Sequence, residues 1–149
     1  MISLVKTTSE DKNFQSLVHH LDEYLAIING DNNPFFTEFN QINRLKYVIV
    51  AYKNDQPIGC GAIKEYDTNI MEVKRMYVDQ NERGNGVASE ILGALEMWAK
   101  ELGYQKCILE TSKTMKEAVN LYLKNKYQII PNYGPYLNVE SSVCFEKNI

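Results

Sequence analysis

Met71-Glu72-Val73-Lys74-Arg75-Met76-Tyr77-Val78-Asp79-Gln80-Asn81-Glu82-Arg83-Gly84-Asn85-Gly86-Val87-Ala88, followed by an apolar-periodic run to Leu102-Gly103, decides how this chain reads. The first eight residues have the composition of a strand. Asp79 to Glu82 is a short polar turn, and Arg83 to Ala88 is a glycine-rich loop. Val87, Ile91, Leu95, Trp98 and Leu102 then recur at three- and four-residue spacing, one continuous stripe of a helix. Glu90 near its start, Lys100 near its end and Gly103 just beyond it agree with the helix dipole and a glycine C-cap. Two glycines therefore sit where a loop becomes a helix. Glycine lets the backbone approach a ligand closely. A helix N-terminus offers unpaired N–H groups and the positive end of a dipole. Together they make a site for a phosphate group.

Working outward, Lys106 to Glu110 reads as a short strand, parallel to Ile70–Val78 if a helical crossover joins them within one sheet. Upstream, Tyr47–Tyr52 and Ile58–Glu65 are strands separated by the turn Lys53-Asn54-Asp55-Gln56-Pro57, and Tyr66-Asp67-Thr68-Asn69 turns into the strand Ile70–Val78. Three strands with short turns make an antiparallel meander. Gly59 and Gly61 suggest a bulge or a close approach within it. Ile2–Thr8 is a further strand. After the cap chemistry of Ser9-Glu10-Asp11, Phe14, Leu17, Val18, Leu21, Leu25 and Ile28 outline a helix that stops at Asn29-Gly30. His19 and His20, adjacent on that helix, point in different directions and read as surface residues. Gly30 to Pro34 is a loop. Phe35, Phe36 and Phe39 read either as packing or as an aromatic lid. Thr114-Met115-Lys116-Glu117 matches a capping box, and the helix after it carries Ala118, Leu121 and Tyr122 and ends near Asn125. Tyr127–Ile130 is a strand, Pro131–Tyr136 a stiff loop, and Val143–Glu146 a closing strand.

The chain has 149 residues, 44% of them hydrophobic and 23% charged, the size and balance of one domain with a core. No apolar run approaches the roughly 20 residues of a membrane span, and no signal peptide is visible. A net charge of −3 disfavours a nucleic-acid binder driven by electrostatics. Cys60, Cys107 and Cys144 lie far apart, without metal-ligand spacing, and read as buried reduced thiols of a cytoplasmic protein.

Gly84-x-Gly86 admits three readings. It can be a plain tight turn. A dinucleotide fold wants a third glycine and a first strand directly before the loop, but Ser89 stands at that position and three strands precede it. A P-loop is excluded, because no Gly-Lys-Ser/Thr follows. The third reading is a resemblance. Arg83-Gly84-Asn85-Gly86-Val87-Ala88 resembles the Arg/Gln-x-x-Gly-x-Gly/Ala motif of the GNAT (GCN5-related N-acetyltransferase) superfamily, matching it at Arg83, Gly86 and Ala88. The likeness extends over the preceding strand, the amphipathic helix, the next strand and the run from Ala118 through Leu121-Tyr122 to Tyr127. Two positions depart from the pattern: Met115 stands where the family often has asparagine, and Lys126-Tyr127 where Gly-Phe is commoner.

The resemblance implies an α/β (mixed α+β) fold. Its central, mostly antiparallel sheet has about six to seven strands, with a splayed parallel pair at the cofactor site and helices on both faces. It implies one acetyltransferase domain over residues 1–149. The activity implied is direct transfer of acetyl from acetyl-CoA to a primary amine, without a metal. The alternative is a non-catalytic acyl-CoA-binding module. By resemblance, the pyrophosphate rests on the backbone of Arg83, Gly84, Asn85, Gly86, Val87, Ala88 and Ser89. The pantetheine arm and thioester bond to Met76, Tyr77 and Val78, where an amide near Tyr77–Val78 can serve as an oxyanion donor. Glu72 is the implied base and Tyr122 the implied acid for the leaving thiolate. The two-residue period puts Glu72, Lys74, Met76 and Val78 on one face and turns Arg75 and Tyr77 away. Phe35, Phe36, Glu110, Tyr133 and Tyr136 come from segments that can surround the acceptor. The expected partner is a small-molecule or peptide amine, with no nucleic acid and no membrane; a homodimer stays open.

Overall fold

Alternation along the central strands sorts the apolar residues into two cores. The computed structural model describes residues 1–30 and 44–149. These form seven strands, β1 (Ile2–Thr7), β2 (Tyr47–Lys53), β3 (Gln56–Asp67), β4 (Ile70–Val78), β5 (Lys106–Ser112), β6 (Gln128–Ile130) and β7 (Ser142–Asn148). Three helices join them: α1 (Lys12–Asn29), α2 (Val87–Glu101) and α3 (Lys116–Lys124). The sheet runs β1-β2-β3-β4-β5-β7-β6. Its neighbours are antiparallel except β4 and β5, which are parallel as the crossover helix requires. Val48 and Val50 of β2 pack with Phe14, Leu17 and Val18 of α1, whereas Ile49 and Ala51 pack with Ile91, Leu92 and Leu95 of α2. Helices thus cover both faces, and each large side chain so buried contributes roughly 1.5–3 kcal/mol.

Asp11 caps α1, accepting hydrogen bonds from the amides of Asn13 and Phe14. Leu25 and Ile28 are half-buried at the end of its stripe, and His19 and His20 are exposed beside Glu23. In α2 the buried face is Val87, Ile91, Leu92, Leu95 and Ala99. Leu102 lies past the helix end and is 40% exposed, so the stripe turns toward Leu92 and Ala99 instead of running on to Leu102. Trp98 sits at the rim, edge-on to Tyr47. The capping box at α3 does not form: Met115 is the N-cap and makes no side-chain cap bond, while the Thr114 hydroxyl lies 2.9 Å from Ser112 Oγ. The three cysteines are buried thiols, and burial pushes Cys60 and Cys107 up to about 12. Phe35, Phe36 and Phe39 lie outside the described residues.

The two-residue alternation breaks inside β4. Cys60 pairs with Tyr77 and Ala62 with Lys74, so β4 uses one more residue than β3 over the same span. This is a β-bulge, and Arg75 within it has a positive φ of 58°. Before the bulge, Met71 and Val73 face α2. After it, Met76 and Val78 face α2, while Tyr77 packs in the α1 core and the Arg75 guanidinium reaches Asp22 of α1. The expectation that Glu72, Lys74, Met76 and Val78 share a face is therefore corrected. Glu72, Lys74, Arg75 and Tyr77 lie on the α1 side, because the extra residue resets the period. Gly61 of β3 makes room for the bulge: a Cβ there would come within 2.5 Å of Met76 Sδ and 2.9 Å of Leu95 Cδ1.

Candidate active site

β4 and β5 are paired only from Ile70–Glu72 to Lys106–Ile108. Beyond Glu72 the two strands separate, which leaves that edge of β4 without a strand partner on the β5 side. A cleft of about 620 Å³ lies there, between the end of β4, the glycine loop with the start of α2, and α3. Of the residues expected to hold a cofactor, Met76, Tyr77, Val78, Arg83, Gly84, Gly86, Val87, Ala88 and Ser89 line it. Asn85, between the two glycines, is exposed and does not line it.

The loop is shaped by its glycines. Gly84 and Gly86 have φ of 84° and 80°, a region that side chains with a Cβ rarely adopt. Gly86 is the N-cap of α2 and gives no side-chain cap bond, and the first helical hydrogen bond runs from the Glu90 amide to the Gly86 carbonyl. The amides of Val87, Ala88 and Ser89 therefore precede the helical ladder, and these residues line the cleft. Arg83 is anchored by its Nε, which donates to the Val78 carbonyl at 2.9 Å, and its guanidinium lies over the rings of Tyr24 and Tyr77 at 5.8 and 5.7 Å. Asn125 at the end of α3 donates to Ser89 Oγ at 3.1 Å and ties α3 to the start of α2.

A second, smaller cavity of about 110 Å³ adjoins the first. Glu72 and Lys74 come from β4, Glu110 from β5, Tyr122 from α3 and Tyr136 from the connection between β6 and β7. Tyr122 and Met115 line both cavities. The Tyr122 ring is 6% exposed, wedged against Tyr127 and Phe145.

The charges in this pocket are held by each other. Tyr133 donates its hydroxyl to Glu72 Oε2 at 2.6 Å, and Lys74 Nζ lies 3.7 Å from Glu72 Oε1. The Ser142 hydroxyl donates to Glu110 Oε2 at 2.5 Å. Burial pushes the Glu110 carboxyl up to about 7, against the opposing pull of the Ser142 hydroxyl and Lys74. Burial lowers Lys74, although Glu72 and Glu110 act the other way. Burial, then the charge of Glu110, raises the Tyr122 phenol, so it stays protonated at neutral pH.

Glu72 and Tyr122, the implied base and acid, thus lie in one pocket with Glu110 and Tyr136, and Tyr133 bonds to Glu72. Arg75 does not face away from Glu72 but lines the same pocket. Lys74 was expected on the face of Glu72 and is there, whereas Ser142 and Asn125 carried no signal that marked them. Ser142 stands 32 residues from Glu110 in the chain, and only strand pairing between β5 and β7 joins them. Among the described residues no group of histidine, cysteine and carboxylate side chains is arranged to hold a metal ion, and no helix is long and apolar enough to cross a membrane.

Comparison with known proteins bears on the whole arrangement. The IAA acetyltransferase of Azospirillum brasilense is 30% identical over 139 residues, 88% of this chain and 87% of that one. A solved structure from Klebsiella pneumoniae, proposed to be an acyl-CoA N-acyltransferase, superposes with a TM-score of 0.83 at 27% identity, over 99% of this chain and 97% of the other. The PaiA N-acetyltransferase of Thermoplasma acidophilum, solved in complex with coenzyme A, shares the fold with a TM-score of 0.73 at 18% identity, over 100% and 99% of the two chains. The model of the acetyltransferase (GNAT) family matches residues 14–127, which take in most of α1, the bulged strand, the glycine loop and Tyr122, and this chain belongs to that family.

Proposed function

We propose that this acetyltransferase moves the acetyl group of acetyl-CoA directly onto a primary amine, with no metal and no covalent enzyme intermediate. The observation that carries the reading is the position of Tyr122, at the junction of the wide cleft and the small acidic pocket. A cleft alone would support binding. A buried phenol between that cleft and two carboxylates supports transfer.

In this reading the pyrophosphate of acetyl-CoA rests on the backbone from Arg83 to Ser89, where helix dipole and unpaired amides favour its charge. The pantetheine arm adds to the open edge of β4 at Met76, Tyr77 and Val78 as an extra strand would. An amide near Tyr77–Val78 stabilises the oxyanion. Asn85 contributes only by spacing the glycines. The acceptor's ammonium enters the small pocket, whose Glu72 and Glu110 attract it and supply a base. Tyr122 gives the departing sulfur a hydrogen bond and a proton. Met115, apolar where the family often has asparagine, leaves the cofactor contact to backbone groups. The acceptor is a small molecule or a peptide amine, and the three buried thiols suit a cytoplasmic setting.

The test is thiol release from acetyl-CoA over a panel of primary amines. Acceptor-dependent release supports transfer. Tight acetyl-CoA binding without release would leave only a binding module.

A further inference from the structure

We propose that Glu110 is the base that takes the proton from the incoming amine, and that Glu72 is the carboxylate that holds the ammonium in place. This rests on the transfer reading above and divides the labour within the same pocket. The two carboxylates are on neighbouring strands and line one cavity with Tyr122. Their surroundings differ. Glu72 is engaged at both oxygens, by the Tyr133 hydroxyl at Oε2 and by Lys74 at Oε1. Protonating it would disrupt one of those contacts. Glu110 receives the Ser142 hydroxyl at Oε2. That hydroxyl can rotate, so Glu110 can gain a proton and keep its contact with Ser142.

The groups facing Glu110 can be named from every element packed there. β4 supplies Glu72 and Lys74, with Arg75 turned to Asp22 of α1; α3 supplies Tyr122; the β6–β7 connection supplies Tyr136, with Tyr133 bound to Glu72; β7 supplies Ser142 and the buried Cys144 thiol. Lys74 is shared between two carboxylates, so one negative charge is left over for an ammonium. Burial that raises the Glu110 carboxyl to about 7 suits a group that must accept a proton at working pH and pass it on.

The step balances. The ammonium N–H bond breaks and its proton passes to the Glu110 carboxylate. The freed lone pair forms the C–N bond at the thioester carbonyl, whose oxygen becomes an oxyanion. Collapse breaks the C–S bond, and sulfur takes the Tyr122 proton. Tyr122 regains a proton from the nitrogen, now a protonated amide precursor. Glu110 releases the first proton to solvent.

The experiment measures acetyl-CoA thiol release from about pH 5.5 to 9 with wild type, E110Q, S142A and E72Q. The acceptor is the fastest of n-butylamine, ethanolamine, phenethylamine and Nα-acetyl-lysine methylamide. E110Q should lower kcat by about 10² or more and abolish the acid limb of the profile, with the KM for acetyl-CoA unchanged. S142A should move that limb to higher pH, since it removes a donor that favours the charged carboxylate. E72Q should raise the KM for the amine and keep the limb. A limb that survives in E110Q, or disappears in E72Q, overturns the proposal. If no amine releases thiol, it is the transfer reading that fails. Glu110 is then judged by infrared titration of the carboxyl-labelled protein. A protonated-carboxyl band that persists to about pH 7 and is missing in E110Q shows a carboxyl able to take up a proton, with only the transfer reading lost; no such band overturns the proposal as well.

Discussion

The two cavities that meet at Tyr122 are built from different materials. The wide cleft is bounded by the glycine loop, the first turn of α2, the open edge of β4 and α3. Its glycines and its amides come from consecutive residues. The small pocket is lined by ionisable side chains from β4, β5, α3 and the segment before β7. The cleft owes its chemistry to dipoles fixed by local geometry, and the pocket owes its chemistry to groups whose charge depends on one another. The cleft should therefore break through backbone substitutions and ignore pH, whereas the pocket should break through single atoms and respond to pH.

The largest expected effect is on the cleft. Gly86→Val places a β-branched residue at a φ of 80°, where such residues are outliers, and puts a side chain into open space at the helix start. Calorimetry should detect no CoA binding; wild-type affinity would remove the loop from the site. Next comes Tyr122→Phe, which keeps the ring among Tyr127 and Phe145 but deletes the proton. It should lower kcat by about 10²-fold and move the KM for acetyl-CoA much less. An unchanged kcat would take Tyr122 out of the chemistry.

Gly61→Ala lies on β3 at the bulge, facing α2. Its new methyl would press on Met76, Leu95 and Ile91, and overpacking of this kind costs about 1–3 kcal/mol. Thermal unfolding should show a lowered Tm; an unchanged Tm would mean that β4 has slack at the bulge. The smallest effect is a pH dependence of stability. Glu110 has a raised carboxyl in the folded state, from an ordinary 4.5 to about 7. Between those values the folded state binds more protons than the unfolded one, so stability is present at acid pH and is lost as pH rises through about 7. Glu110→Gln cannot ionise. It should be more stable than wild type at pH 8 and equal to it near pH 4.5. Equal Tm values at both pH values would mean that the Glu110 carboxylate pays no burial penalty.

How much was legible follows the same division. Arg83, Gly84 and Gly86 announced the cleft because a turn into a helix is encoded within a few residues. α1 and α2 were readable from three- and four-residue spacing, and the β2–β4 meander from its short turns. The α3 capping box was misread because the match between Thr114 and Glu117 does not reveal that Ser112 engages the threonine. The face of β4 was misread for a related reason. Strict alternation assumes no bulge, and the residue that breaks it, Arg75, carries no glycine to mark its positive φ. Gly61, on the neighbouring strand, was the visible trace of that bulge.

Local sequence by itself determined the strand–loop–helix unit from Met71 to Glu101 and its resemblance to the family, because hydrogen bonding and chain conformation over short spans depend on near neighbours. Tertiary structure alone decided that β7 inserts between β5 and β6, which brings Ser142 to Glu110. It also decided that the bulge turns Lys74 and Arg75 to the same side, and that burial raises Glu110. The physical reason is that charge states in a pocket depend on desolvation and on partners that arrive from distant parts of the chain, and neither exists until the sheet has closed around them.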